Sequence, residues 1–154
     1  DPRLVFPEPS AYGEMLGSLI GEEIAIRDAA EEDRPPIDEP MLYTPLLDDE
    51  EREVGAMVVD LRAAVEHGGA LLMLPSDVRQ ELLEANEASE DVIEGMQEVL
   101  NVLSRSFNDI DGNPHVRVGT LKPVGDQAPA WVREPPFRRD LVCDREGRTI
   151  LVSR

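Results

Sequence analysis

The chain has few of the residues and segments on which many functional classes depend. It contains one cysteine, Cys143, so an internal disulfide is excluded and no cysteine-based metal cluster is expected. Only six residues are aromatic (three Phe, two Tyr, one Trp), so aliphatic side chains and methionines must fill the core. No apolar run is long enough to span a membrane and no signal peptide is recognisable. These features predict a cytoplasmic protein.

Basic residues are also scarce. Lys and Arg number 15 against 33 Asp and Glu, which gives a net charge of −18. This balance argues against binding to nucleic acid or to an anionic membrane surface. It fits either a basic protein partner or acidity that serves solubility alone. With 154 residues, 41% of them hydrophobic, the chain is expected to form one domain over 1–154.

The common catalytic and nucleotide-binding motifs are missing. The sequence has no P-loop, no G-x-G-x-x-G, no G-x-S-x-G and no Cys or His spacing typical of metal sites. His67 and His115 both fall in predicted turns, which indicates solvated loop histidines. Cys143 falls in a predicted strand and is expected to be a small buried hydrophobe. No metal ligand and no cofactor of the chain's own are predicted.

Residues 90–108 carry the clearest helical pattern. Ser89 is a suitable N-cap, and acidic residues follow it in the first turn, where the helix dipole favours them. Apolar side chains recur at intervals of three and four, at Val92, Met96, Val99, Leu100, Leu103 and Phe107. This spacing predicts one long amphipathic helix with a continuous apolar stripe.

The remaining elements are shorter. The pattern predicts helices over 11–20 and 77–85, capped by Ser10 and Ser76 respectively. It predicts strands over 23–28, 41–47 and 116–124, and a hairpin of 138–143 with 148–152. Residues 1–9 are expected to form an extended arm. Residues 29–40 and 125–136 are expected to form proline-rich loops, with Trp131 covering the edge of the core.

Residues 54–74 allow two interpretations. The first is a pair of strands, 54–65 and 70–74, joined by a turn at Gly68 and Gly69. The second is a short helix over 61–67 that ends at Gly68. The amino-acid pattern does not decide between them.

Together these elements predict an α+β domain. About six strands form an antiparallel-rich sheet with three helices gathered on it, because short turns between neighbouring strands disfavour a parallel βαβ sheet. The segment 14–17 (EMLG) lies in the first helix much as 98–101 (EVLN) lies in the longest one. This similarity indicates two pseudo-symmetric halves.

The polar face of the longest helix carries the candidate site. Its members are Glu94, Gln97, Glu98, Asn101, Arg105 and Asn108. Glu98 and Asn101 lie three residues apart and therefore project together. An amide fixed on a rigid helix can hold a water in line with a phosphoryl group, while a neighbouring carboxylate binds a cation. The alternative is an ordinary solvated polar face.

This Glu98-x-x-Asn101 motif on a long helix resembles the signature of the CheC/CheX/FliY chemotaxis phosphatases. Residues 70–75 (ALLMLP) resemble the strand that precedes the family's helix pair, and 91–101 resembles the helix that carries the motif. Residues 15–17 (MLG) are similar to the degenerate first copy of CheX-type members. The resemblance extends loosely over about 12–124 and is specific only at the motif.

The resemblance implies dephosphorylation of a CheY-like response regulator. Asn101 would orient the attacking water at the phosphoaspartate, and Glu98 would pair with the active-site lysine of the regulator, which would also supply the Mg²⁺. Because Gly17 stands where the first copy would have Asn, at most one active centre is expected. CheX-type members are commonly dimers, so a homodimer is also implied.

The chain departs from the family pattern at three positions of the same helix. Glu94 stands where the family usually has Asp or Ser, Leu100 where it prefers a small residue, and Arg105 where it has Gly. Glu94, Gln97 and Arg105 are the residues expected to contact a partner. The departures support a second hypothesis, a catalytically silent module of the same fold that binds a receiver domain or a motor component.

Overall fold

A seven-stranded antiparallel sheet forms the centre of this computed structural model, which describes residues 3–154. Its strands are β1 (Arg27–Asp28), β2 (Leu42–Leu47), β3 (Glu53–Val59), β4 (Arg117–Val118), β5 (Lys122–Pro123), β6 (Phe137–Cys143) and β7 (Gly147–Ser153). The order across the sheet is β1-β6-β7-β3-β2-β4, and β5 also pairs with β2. The four long strands in the middle thus come from two hairpins, β2–β3 and β6–β7.

The helices lie on both sides of this sheet, with all but the last of them packed on one face. They are α1 (Pro9–Ile20), α2 (Leu61–Ala63), α3 (Gly69–Leu71), α4 (Ser76–Glu84), α5 (Glu90–Leu103), α6 (Arg105–Asn108) and α7 (Ala130–Arg133), with a 3₁₀ turn at Glu31–Asp33. A π-helical segment, Ala64–Gly68, joins α2 to α3 without a break. We call the continuous stretch 61–71 the bulged helix. No helix among residues 3–154 has both the length and the apolar character needed to cross a membrane.

The topology divides the domain into two matching halves. One half runs α1-β1-β2-β3 and the other α5-(β4, β5)-β6-β7, so each consists of a helix, a short strand and a long hairpin. In the sheet order the two halves meet at β3 and β7, and each places its short strand beside the hairpin of the other. Helix α1 also packs against α5. The predicted α+β class with two pseudo-symmetric halves is therefore confirmed.

The sheet has an apolar layer on each face. Residues of one parity, such as Met57 and Leu151, face the helices and join the larger core. Residues of the other parity, such as Val58 and Ile150, face a smaller core. The proline-rich segments cover this second face with Ile37, Met41, Val124, Ala128 and Val132, and half-buried Trp131 packs on its edge. Alternation along strands that are buried on both faces explains their nearly continuous apolar sequence.

The strand prediction for residues 70–74, and its likeness to a family strand, is wrong. The chain continues through Gly68 and Gly69 as the bulged helix, and β3 ends at Val59. The second interpretation, a helix from 61, is correct at its start, but Gly68 does not end the helix. Both glycines adopt ordinary helical φ and ψ angles. Gly68 is needed for close packing against Gly95 of α5, which a turn prediction from sequence does not consider.

Several element boundaries also differ from prediction. The helix predicted over 90–108 is interrupted at Ser104, whose hydroxyl donates a hydrogen bond to the Asn101 carbonyl and so competes with the helix backbone. The structure has more helices than the three predicted, because short ones form at 105–108 and at 130–133 within the second proline-rich loop. Helix α1 begins at Pro9, two residues before its predicted start, and α4 begins at Ser76, one residue before its predicted start. Ser10 and Ser76 therefore lie inside the helices, and neither acts as a cap.

Two predicted strands are shorter than their apolar patterns. Residues 23–28 pair with the sheet only at β1, and 116–124 divides into β4 and β5. In the intervening segment 119–121, the Gly119 carbonyl and the Leu121 amide bond to a side chain of α5, while the Gly119 amide still donates to the Pro45 carbonyl of β2. Within the predicted arm, the described residues reach the first helix at Pro9, while Asp1 and Pro2 lie outside the described residues.

Candidate functional site

Helix α5 is fixed in orientation by its own sequence. The Ser89 hydroxyl accepts a hydrogen bond from the Val92 amide at 3.3 Å, so the predicted N-cap is present. The predicted apolar stripe is buried, with Met96, Val99, Leu100 and Leu103 fully inaccessible. Leu100 therefore belongs to the core and does not obstruct the polar face. With this stripe fixed against the sheet, the opposite face must point outward.

Glu98 and Asn101 lie together on the outer face of α5. Glu98 is exposed and Asn101 half-buried. The Asn101 amide nitrogen Nδ2 donates a hydrogen bond to Glu98 Oε1 at 3.1 Å. This bond leaves the Asn101 carbonyl oxygen and the second Glu98 oxygen as acceptors. The pair thus presents two adjacent acceptor atoms on a rigid helix, one neutral and one anionic.

Two further predicted residues flank this pair. Glu94 and Arg105 are both exposed, one helical turn before Glu98 and one turn after Asn101. Among residues 3–154, neither side chain forms an ion pair or a side-chain hydrogen bond with another residue. Arg105 therefore does not pair with Glu98 and does not lock the site by an intramolecular salt bridge.

Gln97 makes a different contact from the one expected of a partner-binding residue. Its Nε2 donates to the Gly119 carbonyl at 3.0 Å, and its Oε1 accepts from the Leu121 amide at 2.8 Å. The side-chain amide thus takes the place of a neighbouring strand for the segment between β4 and β5. Both of its ends are engaged within the chain, so Gln97 positions the edge of the sheet beside α5.

Gln97→Ala is expected to lower the free energy of unfolding by about 1–2 kcal/mol, because two part-buried backbone groups lose their partner. The loss should be visible in urea unfolding and as faster amide hydrogen exchange at Leu121. Gln80→Ala is the matched control, since Gln80 is exposed and bonds only to Glu84 on its own helix. Unchanged exchange at Leu121 in the Gln97 variant would contradict this role.

The first half of the molecule has no equivalent amide site. Gly17 of α1 occupies the position that Asn101 has in α5, and a Cβ atom at Gly17 would lie 2.6 Å from the Glu22 carbonyl oxygen. The chain leaving α1 therefore crosses over this position too closely for any side chain. Glu14, the counterpart of Glu98, remains exposed. The expectation of at most one Glu–Asn pair thus has a steric reason.

The structure also brings together three residues that the sequence did not connect. His67, Cys143 and Glu146 place one ring nitrogen, the thiol sulfur and one carboxylate oxygen within 4.8 Å of one another. The prediction that His67 is a solvated loop histidine is wrong, because its side chain is only 3% exposed. His115 is exposed in a turn, as expected, and Cys143 is buried, as expected.

The titration behaviour of this cluster follows from burial. Desolvation, with the nearby Glu146 carboxylate, raises the pKa of the Cys143 thiol to about 12. The His67 ring keeps the pKa of the Glu146 carboxyl below its usual value. The thiol is therefore protonated at neutral pH, which argues against a nucleophilic cysteine. These three side chains are the ones in the described chain that could hold a metal ion. His67 lies 76 residues before Cys143 in the sequence, so the cluster has no short motif spacing by which it could be recognised.

Comparison with solved structures gives several similar folds. The Thermotoga maritima FliY structure matches with a TM-score of 0.58 and 12% identity, over 92% of this chain and 82% of the other. The FliM middle domain from H. pylori matches with a TM-score of 0.57 and 10% identity, over 94% and 84%. CheX from the CheX–CheY–BeF₃–Mg²⁺ complex of Borrelia burgdorferi matches with a TM-score of 0.52 and 13% identity, over 92% and 90%.

No protein-family model and no curated protein sequence matches the chain. At identities of 10–13% the structural similarity establishes the fold and leaves the chemistry to be argued from the site. The predicted resemblance is confirmed at that level. This chain and the three solved structures therefore share a fold.

Proposed function

We propose, from the premise that this chain has the CheC/CheX/FliY fold, that it dephosphorylates the phosphoaspartate of a CheY-like receiver domain. One observation carries the proposal: Glu98 and Asn101 form an accessible, hydrogen-bonded pair on a helix whose other face is fixed in the core. Such rigidity matters because phosphoryl hydrolysis near a metal depends mainly on positioning.

The hydrogen bond within the pair suggests a role for each atom. With Nδ2 bound to Glu98, the side-chain oxygen Oδ1 of Asn101 is free to accept a hydrogen from water. This hydrogen bond directs the oxygen lone pair of that water toward phosphorus. The free Glu98 oxygen accepts a bond from the receiver's lysine, which helps to fix the two proteins in register. The Mg²⁺ belongs to the receiver and neutralises charge on the phosphoryl group.

The charge of the surface agrees with such a partner. Asp91, Glu94 and Glu98 form an acidic, exposed series along α5, and the chain as a whole carries a net charge of −18. An acidic face near the site favours approach of a region that presents a lysine and a metal ion. Arg105 at the other end is placed to contact an acidic group of the same partner.

Asn101→Ala is expected to reduce the acceleration of phosphate release by about a hundredfold, because the water loses its orienting acceptor. The measurement is phosphate release from a phosphorylated CheY-like receiver domain with Mg²⁺, with and without the full chain. Glu14→Gln is the matched control, since Glu14 is the exposed counterpart of Glu98 on α1 and lacks an amide partner. Equal acceleration by wild type and the Asn101 variant would contradict the proposal.

The second candidate is a binding module of the same fold without catalysis. It is supported by Glu94 and Arg105, which stand at positions where the chain differs from the family pattern. Both side chains are exposed, and neither forms an ion pair within the described chain. It predicts that the wild type binds a beryllofluoride-activated receiver domain but does not accelerate phosphate release. It also predicts that binding survives Glu98→Gln and Asn101→Ala, whereas the phosphatase proposal predicts weaker binding for the Glu98 variant.

A further inference from the structure

The cluster of His67, Cys143 and Glu146 lies where the bulged helix meets the turn between β6 and β7. His67 comes from the π-helical segment, Cys143 ends β6, and Glu146 lies in the turn that leads into β7. A π-helical segment displaces one residue from the usual helical register, and such segments occur frequently at functional sites. Here the displaced stretch directs an imidazole toward a thiol and a carboxylate.

The backbone around these three residues is held in place. The Glu146 amide donates to the Cys143 carbonyl at 2.9 Å, and Gly147 adopts a positive φ of 101°. This tight turn places side chains 143 and 146 on the same side. A Cβ at Gly147 would clash with the Ala63 backbone, so the turn rests directly on the bulged helix. Asp60 also links the two, accepting from the Ala63 and Arg148 amides.

The two ring nitrogens of His67 lack hydrogen-bond partners in the described chain. Neither ring nitrogen of His67 has a hydrogen-bond partner among residues 3–154, although the side chain is only 3% exposed. Nε2 lies 3.5 Å from Glu146 Oε1, which is longer than an ordinary hydrogen bond. An unpartnered buried ring nitrogen costs free energy, so the arrangement points to a missing partner.

The distance between two of the three ligand atoms suits a tetrahedral metal centre. Zinc binds nitrogen and oxygen at about 2.0–2.1 Å and sulfur at about 2.3 Å, so two of its ligands lie about 3.3–3.8 Å apart. The 3.5 Å between His67 Nε2 and Glu146 Oε1 falls in that range, and the three ligand atoms lie within 4.8 Å of one another. Nitrogen, thiolate sulfur and one carboxylate form a donor set typical of zinc-class ions.

We propose that His67, Cys143 and Glu146 bind a zinc-class divalent transition-metal ion, with the fourth coordination position open to water. Binding replaces the proton of the Cys143 thiol, which leaves to solvent, and engages the free ring nitrogen of His67. Glu146 is 34% exposed and provides the route by which the ion enters. The bound ion joins the bulged helix to the β6–β7 turn.

The test uses the metal-free full chain titrated with Zn²⁺ and, separately, with Co²⁺. One equivalent of Zn²⁺ should bind per chain and raise the midpoint of thermal unfolding. Co²⁺ should produce a thiolate-to-metal absorption band and the intense visible bands of a tetrahedral site. Cys143→Ser should remove the thiolate band and weaken Zn²⁺ binding by more than about tenfold, since even outer-sphere partners contribute that much.

Glu146→Gln provides a second variant, because this partly exposed residue is replaced without loss of volume. His115→Ala is the matched control: it removes the other histidine, which lies on the surface beside Asp49, and should leave metal binding unchanged. Circular dichroism and the metal-free melting midpoint establish that each variant is folded. Absence of Zn²⁺ binding in the wild type, or Zn²⁺ binding by the Cys143 and Glu146 variants that is as tight as binding by the wild type, would overturn the proposal.

Discussion

Gly95→Ala is expected to lower the free energy of unfolding by about 2–4 kcal/mol, although alanine is the better helix former. A Cβ atom at Gly95 would lie 2.4 Å from the Gly68 carbonyl oxygen, and one at Gly68 would lie 2.7 Å from the Val92 carbonyl oxygen. The two helices thus touch backbone to backbone. Helix propensity alone would predict stabilisation by about 1 kcal/mol, so the sign of the change distinguishes the two effects.

Gly69→Ala is the matched control for this substitution. Gly69 lies next to Gly68 in the bulged helix, but the only atoms its Cβ would approach more closely than ordinary contact belong to the flexible side chain of Arg79, at 3.0 Å. We expect a change within about 1 kcal/mol, since the side chain can move and helix propensity improves. Chemical denaturation of the three proteins measures both values. A Gly95 variant as stable as the Gly69 variant would contradict the close packing of these helices.

This contact also explains which part of the fold the sequence did not predict. Two adjacent glycines after a histidine are a common turn signal, and local pattern gives no sign that a distant helix requires one of them. The bulged helix packs against α5 along its π-helical segment and α3. The long-range contact with α5 therefore outweighs the local preference for a turn, and the residues at 70–74 do not form the predicted strand.

The parts predicted correctly are those with their own periodicity. The stripe of α5 repeats over four turns, and the β6–β7 hairpin combines apolar strands with a recognisable turn, so their positions could be derived without knowing their neighbours. The projection of Glu98 and Asn101 from one face follows from the same stripe. The role of Gln97 could not be derived, because its partners at 119 and 121 lie on a strand that the pattern treated as continuous.

A second set of residues shows why charge patterns are hard to interpret from sequence. Asp140 is fully buried, yet its two oxygens accept hydrogen bonds from Arg138, at 2.6 and 2.9 Å, and from Arg148. Arg34 lies 3.7 Å away. Arg138 also donates to the Pro35 backbone carbonyl, and Arg148 donates to that of Asp33, both in the first proline-rich segment. One carboxylate thus holds the guanidinium groups that fasten residues 31–37 to the sheet.

Asp140→Ala is expected to lower the free energy of unfolding by about 3 kcal/mol, because it leaves buried guanidinium groups without their counter-ion. The effect should extend to the segment those groups hold. We therefore expect faster limited proteolysis within residues 29–40 under conditions where the rest of the domain resists cleavage. Asp140→Asn preserves the volume but removes the charge, and should be destabilising in the same direction.

Asp144→Ala is the control, because Asp144 lies on the same β6–β7 hairpin as Asp140 but pairs with Arg27 of β1, and both of these side chains are more than half exposed. The expected loss there is at most about 1 kcal/mol, because exposed ion pairs are hydrated and contribute little. The comparison separates burial from the mere presence of an Asp–Arg pair. Equal losses of stability in the two variants would contradict this role of Asp140, and so would continued protection of residues 29–40 from proteolysis in the Asp140 variant. In either case the apolar residues of the proline-rich segment alone would hold it against the second face of the sheet.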